Sequence, residues 1–139
     1  RPVFIGQLED NWYNRALRTQ FPHARYLSGG VIEDFQTVRG ARNVVLAVSS
    51  FSWLAAWLSD RAQVVHMPLA GLFNPWQRKD IDLLPKGDPR WHFHHFEPGP
   101  FVASEEQKAV LTGQAVRGQG AAGLADYMGY TLTQKRPGA

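Results

Sequence analysis

The chain contains no cysteine, and this absence excludes two kinds of chemistry. A sequence of 139 residues without cysteine can form neither disulfides nor thiolate metal sites. The same composition fits a reducing compartment, so we expect a cytoplasmic location. The sequence also has no run of about 18 apolar residues, so no transmembrane helix is predicted.

The chain also lacks a strong excess of either basic or acidic residues. The chain carries 15 Lys and Arg against 12 Asp and Glu, a formal net charge of +3. The basic residues are spread along the sequence rather than clustered, so no nucleic-acid partner is expected. A mild positive balance still favours an anionic nucleotide. The first residues, Arg1-Pro2-Val3, show neither an initiator Met nor a signal-peptide pattern, and we expect a processed or excised start.

Short apolar runs alternate with helix-like segments through the first half of the chain. Hydrophobic residues make up 44% of the sequence, enough for one domain with a real core. The pattern predicts an α/β fold, a parallel sheet flanked by helices in a single domain. We expect strands at Val3–Ile5, Ala24–Leu27, Val44–Val48 and Val64–Met67, with helices at Glu9–Gln20, Val31–Arg39 and directly after Ser49-Ser50.

The stretch Asn43–Asp60 is the most informative in the sequence. Its apolar run Val44–Val48 is too short for a helix and predicts a strand buried on both faces. Ser49 and Ser50 then form a turn into a helix. Unpaired N–H groups and the helix dipole at such a turn favour a phosphate. The alternative is that a serine here is only an N-cap, which stabilises a helix by roughly 1 kcal/mol.

The amino-acid sequence of this stretch resembles a known family signature. Ser49-Ser50-Phe51-Ser52-Trp53, followed by Ala55-Ala56-Trp57-Leu58, is similar to a motif of bacterial and animal α-1,2-fucosyltransferases, although Leu54 stands where a second Trp is usual. The likeness covers roughly Val3 to Phe96. It implies one Rossmann-like half of a two-domain (GT-B) glycosyltransferase fold, the carboxyl half that holds the sugar nucleotide.

The resemblance also implies a function and a set of partners. The expected ligand is a nucleotide-diphosphate sugar of the GDP-fucose kind, with the acceptor glycan held by a domain that this chain lacks. Neither a cofactor nor a metal is implied. Substrate-binding candidates are Ser49, Ser50, Phe51 and Ser52 in the turn, Glu33 and Asp34 in the preceding helix, and Gln7 after the first strand. No catalytic residue is assigned.

Other interpretations of these residues remain open. Glu33 and Asp34 suit the first turn of a helix whatever their function. The family's His-x-Arg-Arg motif is absent, and Gly6–Asp10 replaces its paired-Asp loop. These departures favour an alternative function, a non-catalytic interaction or scaffold module that has lost donor binding. A third possibility is a phosphate binder without sugar preference.

The second half of the chain is less regular. Pro68–Pro89 predicts a long ordered loop with a helical turn near Trp76–Asp80, which either covers a ligand or wraps the Trp53 and Trp57 helix. Trp91–Phe96 predicts an edge strand with His92 and His94 on one face. We expect no metal there, because Glu97 is the only other ligand type at a suitable spacing. We assign residues 1–97 to the nucleotide-sugar-binding core, and residues 98–139 to a helix from Ser104 and a flexible tail packed on the same domain.

Overall fold

Three strand–helix units in succession begin the fold. The computed structural model describes residues 1–95, 104–105 and 118–119. The predicted fold class is confirmed: parallel strands flanked by helices form a Rossmann-like α/β domain. In chain order the elements are β1 (Val3–Ile5), α1 (Trp12–Gln20), β2 (Arg25–Leu27), α2 (Val31–Arg39), β3 (Asn43–Val45), α3 (Ser50–Trp57), β4 (Val64–Leu69), a 3-10 turn (Gly71–Phe73), β5 (Trp91–His95) and β6 (Gly118–Gln119).

The strands form two sheets. Strands β1 and β2 pair in parallel as a two-stranded sheet, and the larger sheet has the order β3-β4-β5-β6. Strands β3, β4 and β5 run parallel, whereas β6 pairs antiparallel with β5. Residues 118–119 thus pair in the sheet, although their stretch was expected to be flexible. The helix expected from Ser104 and the expected flexible tail lie outside the described residues. Only residues 104–105 and 118–119 of that part of the chain are described.

The core lies on one face of the larger sheet, against α3. Buried and half-buried side chains alternate along β4 and along β5 as far as His94, and His95 at the end of β5 is half-buried. Ala55 and Ala56 of α3 are both fully buried, and Ala56 belongs to this core. The largest buried apolar side chains of the core are Met67, Leu69, Phe73, Trp91 and Phe93. Removal of this apolar surface from water is the main force that holds helix and sheet together.

Strand β3 is not buried on both faces, and that prediction was wrong. Val44 and Leu46 are 6% and 4% exposed, but Val45 between them is 80% exposed. The reason is topological: β3 is the first strand of the described sheet, and α3 covers only one of its faces. An apolar run does not reveal whether the second face will also be covered. The strand ends at Val45, although the Leu46 N–H still donates to the His66 carbonyl at 2.9 Å.

Strands β4 and β5 also differ from expectation. Strand β4 continues through Pro68 to Leu69. Proline is tolerated there because β3 has ended two positions earlier, so β4 has only one neighbour at that level. Strand β5 was expected at an edge, but it lies between β4 and β6, with Trp91 and Phe93 buried.

The loop after β4 has its helical turn earlier than predicted. A 3-10 turn occupies Gly71–Phe73, and no helix forms over Trp76–Asp80. Asn74 is buried, and its side-chain oxygen accepts hydrogen bonds from the Trp76 and Gln77 amides at 2.9 and 3.3 Å, as an N-cap residue does. The Asn74 carbonyl also accepts from the Gln77 and Arg78 N–H groups at 3.1 and 2.9 Å, so the chain makes one turn here that does not continue as a helix. No helix within the described ranges has the length and apolar character that a bilayer span requires.

Because only one face of β3 is buried, substitutions at the neighbouring residues Val44 and Val45 should change the free energy of unfolding by different amounts. Val44→Ala should lower the free energy of unfolding by about 2 kcal/mol, because it removes two buried carbon groups and leaves a cavity. Val45→Ala should change it by less than about 0.5 kcal/mol, since Val45 faces solvent. Urea denaturation of both variants checks this. Equal losses at the two positions would mean that the outer face of β3 is covered in solution.

Candidate functional site

The Ser49–Ser52 turn follows β3 on its carboxyl side, but residues 46–48 separate it from the strand, which was expected to reach Val48. Ser49 is the N-cap of α3, with extended backbone (φ −147°, ψ 128°). Its Oγ accepts a hydrogen bond from the Phe51 N–H at 3.2 Å. The Ser49 hydroxyl therefore has a capping role, which is the alternative that the sequence left open.

The other two hydroxyls of the turn differ from each other. Ser52 Oγ donates to the Ser49 carbonyl at 3.2 Å and to the Ala47 carbonyl at 3.4 Å, so it stabilises the turn. Ser50 is exposed, and its hydroxyl makes no hydrogen bond to any described residue. Of the three serines, Ser50 is the one whose side chain is available to a ligand.

Two backbone donors accompany the Ser50 hydroxyl. The first α-helical hydrogen bond of α3 runs from the Trp53 N–H to the Ser49 carbonyl at 3.1 Å. The N–H groups of Ser50 and Ser52 precede it and have no intrahelical partner, while that of Phe51 is capped by Ser49. The turn thus presents two N–H groups and one hydroxyl at the positive end of a helix dipole, an arrangement that suits an anion.

Phe51 connects the turn to α2. Its ring meets that of Phe35 edge-on, with ring centroids 5.4 Å apart and an interplanar angle of 75°. The Phe51 side chain remains 37% exposed. It therefore packs between two helices and still shows part of its surface beside Ser50.

Glu33 and Asp34 lie in the first turn of α2 and interact with the loop before it. Asp34 Oδ1 accepts a hydrogen bond from the Gly29 N–H at 3.1 Å. The Glu33 carboxylate lies against Gly30, the N-cap of α2. Both contacts are local to the helix start, and no described contact joins these carboxylates to Ser49–Ser52.

Gln7 belongs to the smaller sheet. It follows β1 and is exposed, and its carbonyl accepts from Asn14 Nδ2 at 3.4 Å. Asn14 is buried and also donates to the Glu9 carbonyl at 2.7 Å. The backbone of Gln7 therefore helps to fix the start of α1, and strand β1 does not pair with β3. The structure brings Phe35 and Phe51 together beside the turn but gives Gln7 no contact with it.

The long loop wraps α3, which confirms one of the two expectations for it. Trp53 Nε1 donates to the Leu83 carbonyl at 2.8 Å, and the Trp53 and Trp57 rings stack 5.6 Å apart. At the other end of the loop, Gly71 has a positive φ of 50°, and a side chain there would approach Val48 to 3.1 Å. The loop therefore borders the carboxyl end of β3 beside the turn.

Three half-buried histidines share the face of the larger sheet opposite the core. His92 and His94 lie on one face of β5, as predicted, and His66 of β4 lies beside them. The His66 Nδ1 and His94 Nε2 atoms are 2.9 Å apart, a hydrogen-bond distance, and the His66 and His92 ring centroids are 5.5 Å apart. His66 was missed because its proximity to His94 follows only from the register of β4 against β5. In the part of the chain that the structure describes, no group of three or more potential ligands is arranged to hold a metal.

Burial makes the paired imidazoles harder to protonate. It is the main cause that lowers the pKa of His66 and of His94 below the ordinary value of 6.5. A second cause is repulsion from neighbouring imidazoles: His92 acts on His66, while His66 and then His92 act on His94. The pair is therefore neutral at pH 7, with one ring donating and the other accepting.

Two cavities among the described residues lie away from the turn. One, of about 270 Å³, lies at the opposite edge of the sheet and is lined by Gly40, Arg42, Arg61 and Gln63. The other, of about 350 Å³, lies in the long loop around Trp76. Comparison with protein-family models, curated proteins and solved structures gives no match.

The histidine pair predicts a loss of stability on mild acidification. Because both pKa values are lowered in the folded chain, the unfolded chain takes up protons first as the pH falls below 6.5. The pair's contribution is thus intact above pH 6.5 and is lost as the pH falls towards the folded-state pKa values. Urea denaturation at about pH 7.5 and about pH 5.5 measures the difference.

Replacing both rings should reduce this difference. We expect the double variant His66→Gln/His94→Gln to lose less stability between the two pH values than the unchanged protein. His23→Gln, at an exposed histidine, is the matched control and should behave like the unchanged protein. A double variant with the original pH dependence would show that the pair does not titrate differently in the folded and unfolded states.

Proposed function

We propose that this chain is the donor-binding domain of a glycosyltransferase, which binds a nucleotide-diphosphate sugar of the GDP-fucose kind for transfer to an acceptor hydroxyl. The observation that carries the proposal is the exposed Ser50 hydroxyl beside the N–H groups of Ser50 and Ser52. These donors stand at the carboxyl end of a parallel strand, where open α/β sheets bind ligands. The similarity of Ser49–Trp53 to the α-1,2-fucosyltransferase signature supplies the substrate class.

The chemistry required of such a domain is stabilisation of a departing diphosphate. As the sugar–oxygen bond breaks, negative charge grows on the β-phosphate. Two N–H groups and one hydroxyl already aimed at that position offset the charge without reorganising. Ser49 and Ser52 act indirectly, since their hydroxyls hold the turn in shape. The acceptor glycan and the base that activates its hydroxyl belong to another domain in this proposal, and the site of action is the cytoplasm.

A second candidate function is an interaction or scaffold module without donor binding. It is favoured by apolar side chains that remain exposed on α2 and α3: Ile32 is 71% exposed and Trp57 52% exposed. Exposed apolar surface of this kind often marks a contact with another protein. In this case Ser49 and Ser52 would serve only to cap and shape the helix.

Isothermal titration calorimetry with GDP, UDP and GDP-fucose separates the candidates. A donor-binding domain should give a saturable signal with GDP-fucose. Ser50→Ala should weaken that binding about tenfold, because one charge-assisted hydrogen bond is lost. The same variant should keep its stability, whereas Ser49→Ala should lose about 1 kcal/mol through its missing cap. Thr19→Ala, which removes an exposed hydroxyl from α1, is the control for both measurements.

The outcomes distinguish all three interpretations. Absence of heat with every ligand at millimolar concentration would contradict donor binding and leave the scaffold function. Equal heats for GDP and UDP with no gain from the sugar would indicate a general phosphate binder. Unchanged affinity in Ser50→Ala would exclude the Ser50 hydroxyl from the binding site and contradict the observation that carries the proposal.

A further inference from the structure

The amino-terminal edge of the larger sheet, opposite the Ser49–Ser52 turn, carries a group of arginines. Arg39 is the last residue of α2, and the other three lie in the short segments that lead into the parallel strands: Arg42 before β3, Arg61 before β4 and Arg90 before β5. In a parallel sheet these entry segments are neighbours. The Gln63 N–H donates to the Arg42 carbonyl at 2.7 Å, which holds the first two segments side by side.

Two of the four arginines are already engaged. The Arg90 guanidinium pairs with the Asp88 carboxylate at 2.6 Å and also donates to the Ser59 carbonyl at 2.9 Å. Arg39 Nε donates to the Leu58 carbonyl, the C-cap of α3, at 3.3 Å. These two side chains hold the edge of the sheet together.

Arg42 and Arg61 have no such engagement. Both are exposed, and neither forms an ion pair or a side-chain hydrogen bond with any residue the structure describes. Together with Gly40 and Gln63 they line the cavity of about 270 Å³. Two cations beside one cavity repel each other, and an anion bound between them would remove that repulsion.

The segment that carries Arg61 is held in place by a buried serine. Ser59 is 5% exposed, and its Oγ donates to the Arg39 carbonyl at 2.6 Å. The same oxygen accepts from the N–H groups of Arg61 and Ala62 at 3.2 and 3.0 Å. The backbone on both sides of the cavity is therefore fixed before any ligand arrives, which reduces the entropy lost on binding.

We propose that this cavity is an oxyanion site, in which the Arg42 and Arg61 guanidinium groups and the Gln63 amide bind a phosphate group. Planar guanidinium groups donate two parallel hydrogen bonds to such an anion, and an amide adds a neutral donor. The phosphate is either free or part of a phosphate monoester, and both share this recognition. The site is separate from the Ser50 donors and does not depend on the proposed transferase function.

Amide chemical shifts followed by NMR at low ionic strength test the proposal. Inorganic phosphate should shift the Gly40 and Gln63 amides saturably, and acetate at equal ionic strength should not. Arg42→Gln and Arg61→Gln should each weaken phosphate binding about tenfold, because each removes a charge-assisted contact. Arg25→Gln, which removes an exposed arginine from β2, should bind phosphate like the unchanged protein. Far-UV circular dichroism verifies that all variants are folded.

Each alternative result has a definite meaning. Shifts that do not saturate, that acetate reproduces, or that persist in Arg42→Gln and Arg61→Gln would overturn the site. Such a result would mean that these arginines only offset the negative end of the helix dipoles at the carboxyl ends of α2 and α3. Tighter binding of glucose 1-phosphate than of inorganic phosphate would identify a monoester as the source, and equal binding the free anion. Ser50→Ala should leave the phosphate response unchanged, so failure of either proposal does not affect the other.

Discussion

The close packing of α3 on one face of the parallel sheet determines the rest of the structure. Ala56 is fully buried in the same core cluster as Met67 and Phe93, and its small side chain lets the helix backbone approach the sheet. This contact fixes the direction in which α3 leaves β3. It therefore also fixes where Ser50 and its N–H donors point. At the carboxyl end of the same helix, the Leu58 carbonyl accepts a hydrogen bond from Arg39 Nε, and Ser59 Oγ donates to the Arg39 carbonyl. These contacts lie at the amino-terminal edge of the sheet.

Local signals in the sequence were sufficient for the order and type of the elements. Helix α2 has the predicted bounds, Val31–Arg39, because its carboxylates, its apolar spacing and the flanking glycines all act within one segment. Burial of individual residues and pairing between distant residues could not be predicted from such local signals. Val44 and Val45 are identical in sequence terms, yet one is buried and the other exposed. The pairing of His66 with His94 depends on strand register, which no short window of sequence contains.

In the candidate site, too, the position along the chain was predictable, whereas the roles of the individual side chains were not. The position of the serine turn was predictable from an apolar run followed by helical spacing. The different roles of its serines were not, because capping by Ser49 and the exposure of Ser50 depend on backbone angles in the turn. Glu33 and Asp34 have local partners that a sequence pattern suggests but does not prove. The cavity between Arg42 and Arg61 arises only when two strand entries separated by a whole helix become neighbours.

The two edges of the sheet thus carry different chemistry on one scaffold: backbone donors and a hydroxyl at the carboxyl end, guanidinium groups at the amino end. The most direct test of the central claim is a crystal structure of the protein grown with GDP-fucose. We predict that a diphosphate oxygen lies within about 3 Å of the Ser50 N–H or hydroxyl. A nucleotide bound elsewhere on the molecule, with this turn unoccupied, would contradict the account.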